Sequence, residues 1–289
     1  MEEYRYYLKQ LGIQDSTIDS YARTLERFLI ENPENRTYAY KDIVDYMSQI
    51  KRQYSESAYP VKVLAAIKKY YSYLVEKGVR NDHPCQNLTI KTKRQNKYLN
   101  KSLTEEELEL LLIRDERYKI QEIKNKFIIS LLIYQGLTIN EVVSLKVQDI
   151  NLDEGEVYIR PSPKQMSRRL LFKPKQYRLA DKYLTVDRKT LQSQQEIIHK
   201  ALFLTKTGNP IQYDDIKTLI SQQRVLVQRD KLTATIIRQS VISNWLNEKK
   251  IPLEQVQLLS GHKWISTTEK YLQDNRVGKR KLINRYFPY

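Results

Sequence analysis

The sequence predicts a mainly α-helical protein with one small antiparallel β-hairpin or sheet, divided into two domains. Three observations predict it. Apolar residues recur at steps of three and four through most of the chain, the spacing of a half-buried helix. A strand-like run appears only after residue 150. A basic stretch without periodicity, Lys91 to Lys101, separates two periodic regions, and 289 residues suffice for two cores of ordinary size. The expected division is a helical domain over 1–90, a basic linker over 91–101, and a mixed domain over 102–289 that ends in a tail.

From Ser16 to Ile30 the residues Ile18, Tyr21, Ala22, Leu25, Phe28 and Leu29 fall on one helical face, with Asp15 or Ser16 as N-cap. A second helix, about Lys41 to Ile50, carries Ile43, Val44 and Met47. A third, about Val61 to Lys77, buries Leu64, Ile67, Tyr71 and Leu74 and stops at Gly78. His83-Pro84-Cys85 reads as a polar loop. After the linker, Thr104-Glu105-Glu106-Glu107 is a capping box. Phe127 to Tyr134, apolar all round, reads as a central helix ending near Gly136, and another helix starts near Ile139. Asn151 to Gly155 reads as a turn, Val157-Tyr158-Ile159 as a strand, and Leu170-Leu171-Phe172 as its returning partner, with Pro161 to Ser167 as the hairpin loop. Helices follow through Ile237, Val241 and Trp245, and from Pro252 to Gly261. A second capping box, Ser266-Thr267-Thr268-Glu269, opens a helix expected to hold Tyr271.

Composition narrows the function. Hydrophobic residues make up 40% and charged residues 29%, values of a folded globular protein. The formal net charge is +16, so a polyanion is the expected partner, nucleic acid first. An anionic membrane surface is the weaker reading, for the chain shows neither a lipidation motif nor a basic amphipathic helix with an aromatic face. The longest apolar run, Phe127 to Tyr134, is too short to span a bilayer, and Met1-Glu2-Glu3-Tyr4 lacks the apolar region of a secretion signal. The expected location is cytoplasmic. Cys85 is the single cysteine, and His83, His199 and His262 are far apart, so neither a disulfide nor a Cys/His zinc site is expected. The linker residues Lys91, Lys93, Arg94 and Lys97 form a candidate strap along a phosphate backbone; a solvated tether is the alternative.

Three segments of the C-terminal third go further. Leu232 to Ser240, containing Arg238, resembles the His-x-x-Arg box of the tyrosine recombinase (phage integrase) family. Leu258-Leu259-Ser260-Gly261-His262 resembles that family's Leu-Leu-Gly-His segment. Ser266-Thr267-Thr268-Glu269-Lys270-Tyr271 resembles the lead into its nucleophilic tyrosine, and the nine-residue step from His262 to Tyr271 matches. Gln135 to Leu145 resembles the first box of the family, and Ser20-Tyr21 with Ile67 to Leu74 resembles its helical core-binding domain. The resemblance implies a core-binding domain followed by a mixed α/β catalytic domain. It implies a site-specific recombinase, integrase or transposase of a mobile element, acting on double-stranded DNA as a tetramer on two sites, without metal or cofactor. The tail, with Leu282, Ile283, Tyr286 and Phe287, would dock on a neighbouring protomer or fold back on its own domain.

The chemistry explains the residue types. Cutting DNA while keeping the bond energy requires a covalent phosphoenzyme, here a 3′-phosphotyrosyl link, and a phenolate is both nucleophile and leaving group. Fixed cations stabilise the charge that gathers on the phosphate oxygens. The resemblance gives Tyr271 the nucleophilic role, Arg238 the phosphate, His262 the phosphate or a proton, and Lys164 in the hairpin loop the protonation of the departing 5′ oxygen. Two positions depart from the family pattern: Thr138 stands where an arginine is expected and Thr235 where a histidine is expected. Either a nearby cation compensates, with Arg168 or Arg169 favoured, or the protein is a catalytically weakened DNA-binding architectural or regulatory protein on the same scaffold.

Overall fold

The computed structural model of the protein describes residues 1–55, 58–90, 102–114, 116, 118–194 and 196–272. The expected linker, with Lys91, Lys93, Arg94 and Lys97, and the expected tail lie outside the described residues. The chain divides at Gln95/Asn96 into two compact units. No helix among the described residues is long and apolar enough to cross a membrane.

The first unit is built from α1 (Glu2–Gln10), α2 (Asp15–Glu31), α3 (Tyr40–Gln53) and α4 (Tyr59–Glu76). The stripes of α2 and α4 bury the expected faces, with Leu25, Phe28, Ile67 and Tyr71 at 1% exposure or less. Gly78 ends α4 at φ +68°. There Val79 N–H donates to Leu74 O and Gly78 N–H to Val75 O, which satisfies the last carbonyls of the helix. Three expectations are corrected. Helix α1 stands where no helix is expected, because its 9 residues hold a single set of buried positions, Tyr4, Tyr7 and Leu8, too short a run for a repeat to show. Helix α2 starts at Asp15 after an N-cap at Gln14, with no side-chain cap from Asp15 or Ser16. The His83–Cys85 loop is no polar connector: Cys85 is fully buried in the core of the unit.

The second unit wraps helices around α6 (Lys119–Tyr134), whose Phe127, Ile128, Leu131 and Leu132 are fully buried. Before it, Thr104 caps α5 (Glu105–Leu110): its Oγ1 accepts from Glu107 N–H at 3.2 Å, and Glu107 Oε2 accepts from Thr104 N–H at 2.9 Å. After it comes α7 (Ile139–Ser144), then an antiparallel sheet in the order β1 (Ile150–Asn151), β2 (Glu156–Ile159), β3 (Arg168–Leu171). The returning strand therefore begins two residues earlier than expected, with Ile159 facing Arg168 and Val157 facing Leu170. The two-residue β1 has no periodicity to read. Helix α8 (Pro174–Lys182) continues through a π-turn into α9 (Arg188–Gln192), and α10 (Tyr213–Gln222) follows. Then come α11 (Ala234–Ser243), α12 (Leu253–Ser260) and α13 (Ile265–Glu269). Pro252 is the N-cap of α12 and not part of its first turn.

Candidate active site

Helix α11 starts where Thr233 Oγ1 accepts from Ile236 N–H, and it packs Ile237 and Val241 into the core. That phase turns Arg238 inward, leaving it 8% exposed. Its Nη1 donates to Gly136 O and its Nη2 to Ser260 O. Gly136 follows the C-terminal end of α6, and Ser260 is the last residue of α12. The guanidinium thus lies at two helix ends, where unpaired carbonyls concentrate negative potential. Burial lowers its pKa, opposed by Glu141.

His262 is placed by the end of α12. Gly261 takes φ +71°, His262 N–H donates to Gln257 O, and Gly261 N–H donates to Leu258 O. Two features favour glycine there. The positive φ favours it, and a Cβ would sit 2.9 Å from Arg168 Cζ. The imidazole is 7% exposed, and its Nδ1 lies 3.0 Å from Thr268 Oγ1. Burial, then the charges of Arg238 and Arg168, press its pKa down to about 4. At neutral pH it is therefore uncharged.

Tyr271 stacks on that imidazole, with ring centroids 6.1 Å apart and planes 12° from parallel. The tyrosine follows α13 in a turn, which corrects the expectation that the helix holds it. The Ser266–Glu269 capping box is also absent: α13 begins at Ile265 after Trp264, without a side-chain cap. Tyr271 N–H donates to Thr268 O, Asn247 Nδ2 donates to Tyr271 O, and the side chain packs on the cluster of Ile242, Leu246 and Val256. Arg238 lies within electrostatic reach of Tyr271. The turn thus brings Arg238, His262 and Tyr271 into one site.

Glu141 belongs to the same site, although no motif singles it out in the sequence. Thr138 is the N-cap of α7, and Glu141 is its capping-box partner. Glu141 Oε2 accepts from Thr138 N–H at 2.8 Å and from Thr138 Oγ1 at 2.9 Å. Its Oε1 accepts from Arg168 Nη1 at 2.7 Å, and Arg238 Nη1 stands 4.0 Å from Oε2. Burial pushes the Glu141 carboxyl upward, but the charge and hydrogen bond of Arg168, the Thr138 amide and Arg238 outweigh it, and it ends below the usual carboxylate range. The Thr-x-x-Glu spacing is the available signal, since it marks a helix start.

The pleat of β3 separates the two arginines: its exposure alternates, with Arg168 buried and Arg169 outside. Arg169 lies over the Tyr158 ring and pairs with Glu156, its side chain 65% exposed. Lys164 is exposed on the hairpin turn. That turn is tied to the site, because Met166 N–H donates to Gly261 O at 2.9 Å and Gln165 bridges to His262. Thr235 is exposed on the first turn of α11. Among the described residues no cluster of three or more His, Cys, Asp or Glu could hold a metal ion. The arrangement can grip an anion with guanidinium groups beside a phenol and a neutral imidazole.

The sequence pattern that defines the phage integrase family matches residues 101–277. A tyrosine recombinase XerD from Halalkalibacterium halodurans is 25% identical, over 100% of this chain and 97% of the relative. A tyrosine recombinase XerC from Roseiflexus castenholzii is 26% identical, over 94% of this chain and 87% of the relative. Among solved structures, the XerH recombinase in a post-cleavage complex with difH superposes with a TM-score of 0.74 at 18% identity, covering 93% of this chain and 78% of that one. The Tn1549 transposon integrase bound to a circular-intermediate DNA gives a TM-score of 0.71 at 14% identity, covering 98% of each chain. The chain belongs to the phage integrase family. Its class is that of the tyrosine recombinases, enzymes of site-specific strand cleavage and rejoining.

Proposed function

We propose that this recombinase acts on double-stranded DNA through Tyr271, whose phenolic oxygen attacks a backbone phosphorus. The P–O5′ bond breaks, a 3′-phosphotyrosyl link forms, and the 5′ oxygen leaves with a proton. Attack by the freed 5′ hydroxyl of another strand reverses the step and rejoins DNA without loss of bond energy. Arg238 balances the charge that gathers on the phosphate oxygens. His262, neutral at working pH, holds the phosphate or carries the phenol's proton. Lys164, on the exposed hairpin turn, protonates the leaving oxygen. Arg169, with the basic linker residues Lys91, Lys93, Arg94 and Lys97, contacts the DNA backbone, to which the net charge of +16 is suited. The working assembly is a tetramer on two DNA sites, and the substrate is the DNA of a mobile element.

The observation that carries this reading is the stacking of Tyr271 on His262 beside buried Arg238. The test uses a nicked suicide duplex carrying the sequence that the full chain selects from a random pool. On a denaturing gel the wild type yields a covalent protein–DNA adduct, and Tyr271→Phe yields none while its DNA affinity stays within about twofold, since one phenol hydroxyl makes little of a phosphate-dominated contact. Absence of a wild-type adduct would leave a DNA-binding protein in place of the enzyme.

A further inference from the structure

Arg168 has no part in the chemistry assigned to Tyr271, Arg238, His262 and Lys164, yet it is built into the same site. Its side chain is 5% exposed, and among the described residues it makes one ion pair, Nη1 to Glu141 Oε1. Nε and Nη2 are also buried, and neither has a hydrogen-bond partner among the described residues. Buried donors without partners are rare and costly, and a partner that arrives from outside accounts for them. The local charge points to what that partner is. Two guanidiniums, Arg168 and Arg238, share the single carboxylate of Glu141, and the nearby His262 is neutral, so the cluster buries an excess of positive charge. A buried charge of this kind calls for a counter-ion.

Other polar groups of the site are held in part by the protein itself. Both Nη atoms of Arg238 are bonded to the carbonyls of Gly136 and Ser260. The hydroxyl of Thr138 is bonded to Glu141, and it carries no charge. We propose that Arg168 is a catalytic residue, presenting Nε–H and Nη2–H to the non-bridging oxygens of the phosphodiester that Tyr271 attacks. The proposal rests on the reading of Tyr271 as nucleophile. Glu141 then acts as a positioning residue. It holds Nη1 and fixes the plane of the guanidinium, leaving the other edge for the phosphate. Access requires a movement. Met166 O and the Arg168 guanidinium lie on the same side of Gly261, and Met166 is hydrogen-bonded there. The turn from Ser162 to Met166 lifts from Gly261 as the phosphate enters.

The rival is that Arg168 only neutralises Glu141, and the charge of the phosphate separates the two. The experiment compares two suicide duplexes of the selected sequence, one with the ordinary phosphodiester at the cleavage position and one with a neutral methylphosphonate. Arg168→Ala is expected to slow adduct formation by roughly a hundredfold or more on the phosphodiester and by less than about fivefold on the methylphosphonate, where the charge it would grip is missing. Arg168→Lys keeps a cation against Glu141 and so preserves the fold; it shows the same substrate dependence with a smaller loss, because an ammonium cannot offer a paired edge. Equal losses on both duplexes, or no loss on the phosphodiester, would falsify the proposal. Failure of the Tyr271 reading shows up separately, as a wild type without adduct. In that case Arg168 is judged by binding in the Tyr271→Phe protein: a preference for the charged duplex that Arg168→Ala abolishes supports it, and a preference that Arg168→Ala leaves intact overturns it.

Discussion

Asn35 in the first unit and Glu141 in the second are both buried polar hubs, but their surroundings differ in kind. Around Asn35 every partner is neutral and already in place. Tyr70 Oη donates to its Oδ1 at 2.8 Å, Tyr71 Oη donates to its backbone oxygen at 2.7 Å, and its Nδ2 donates to Asn32 O at 2.7 Å. Such a network ties the 35–37 turn to α4 and serves the fold. Around Glu141 neutral Thr138 is joined by two charged partners, Arg168, which keeps two buried donors without partners among the described residues, and Arg238 at 4.0 Å. A closed neutral network needs no ligand, whereas an open cationic one is completed by an anion. The contrast teaches where to look for function in a chain with many buried polar side chains.

Three measurements sharpen or break the contrast. The largest effect is expected for Glu141→Gln, which leaves two guanidiniums buried without a counter-charge and costs about 3–5 kcal/mol in denaturant unfolding. Sulfate should restore more of that stability than it adds to the wild type. Asn35→Ala comes next, losing the Tyr70 bond and the Asn32 bond for about 2–3 kcal/mol. Sulfate should help this variant no more than the wild type, and its adduct yield per folded molecule should be unchanged. If both variants respond to sulfate alike, the distinction between the hubs is wrong.

The third effect is pH. The folded protein holds His262 at about 4 against an ordinary 6.5, so the unfolded chain takes up the proton first as pH falls. The stability that His262 contributes is therefore full above the unfolded value and is lost as pH drops from about 6.5 toward 4. Between pH 7 and 5 the wild type should lose about 2 kcal/mol that His262→Asn does not lose. Urea titrations at the two pH values check this. A bound duplex should shrink the loss, because its phosphate charge favours the protonated ring.

Much of the fold and of the site is legible in the residues themselves. Helices α2 and α4 announce themselves because Leu25, Phe28, Ile67 and Leu74 are purely apolar and recur on one face. Helix α1 does not, because its 9 residues carry only one such set, Tyr4, Tyr7 and Leu8, and no repeat of it. Arg238, His262 and Tyr271 emerge together because short motifs hold them at fixed spacing. The split between Arg168 and Arg169 is not legible. The run Leu170-Leu171-Phe172 is apolar at every position, so it hides the phase of the strand, although Leu171 is 73% exposed. Phase is settled by long-range pairing, here Ile159 with Arg168, which lies beyond a local pattern. Glu141 escapes notice because attention in the Gln135 to Leu145 segment falls on Thr138, and the spacing of three residues between them marks at most a helix start.

The pleat of β3 imposes a parity rule on the hairpin. Inside and outside alternate residue by residue, so a slip of one position against β2 would send Arg169 toward Glu141 and leave Arg168 in solvent, with Leu170 exchanged for Leu171 in the core. A slip of two positions restores the inside-outside order. Length changes in the Pro161–Ser167 loop are therefore constrained by oddness or evenness whenever they are absorbed by the ladder, and the pairing of Ile159 with Arg168 keeps count.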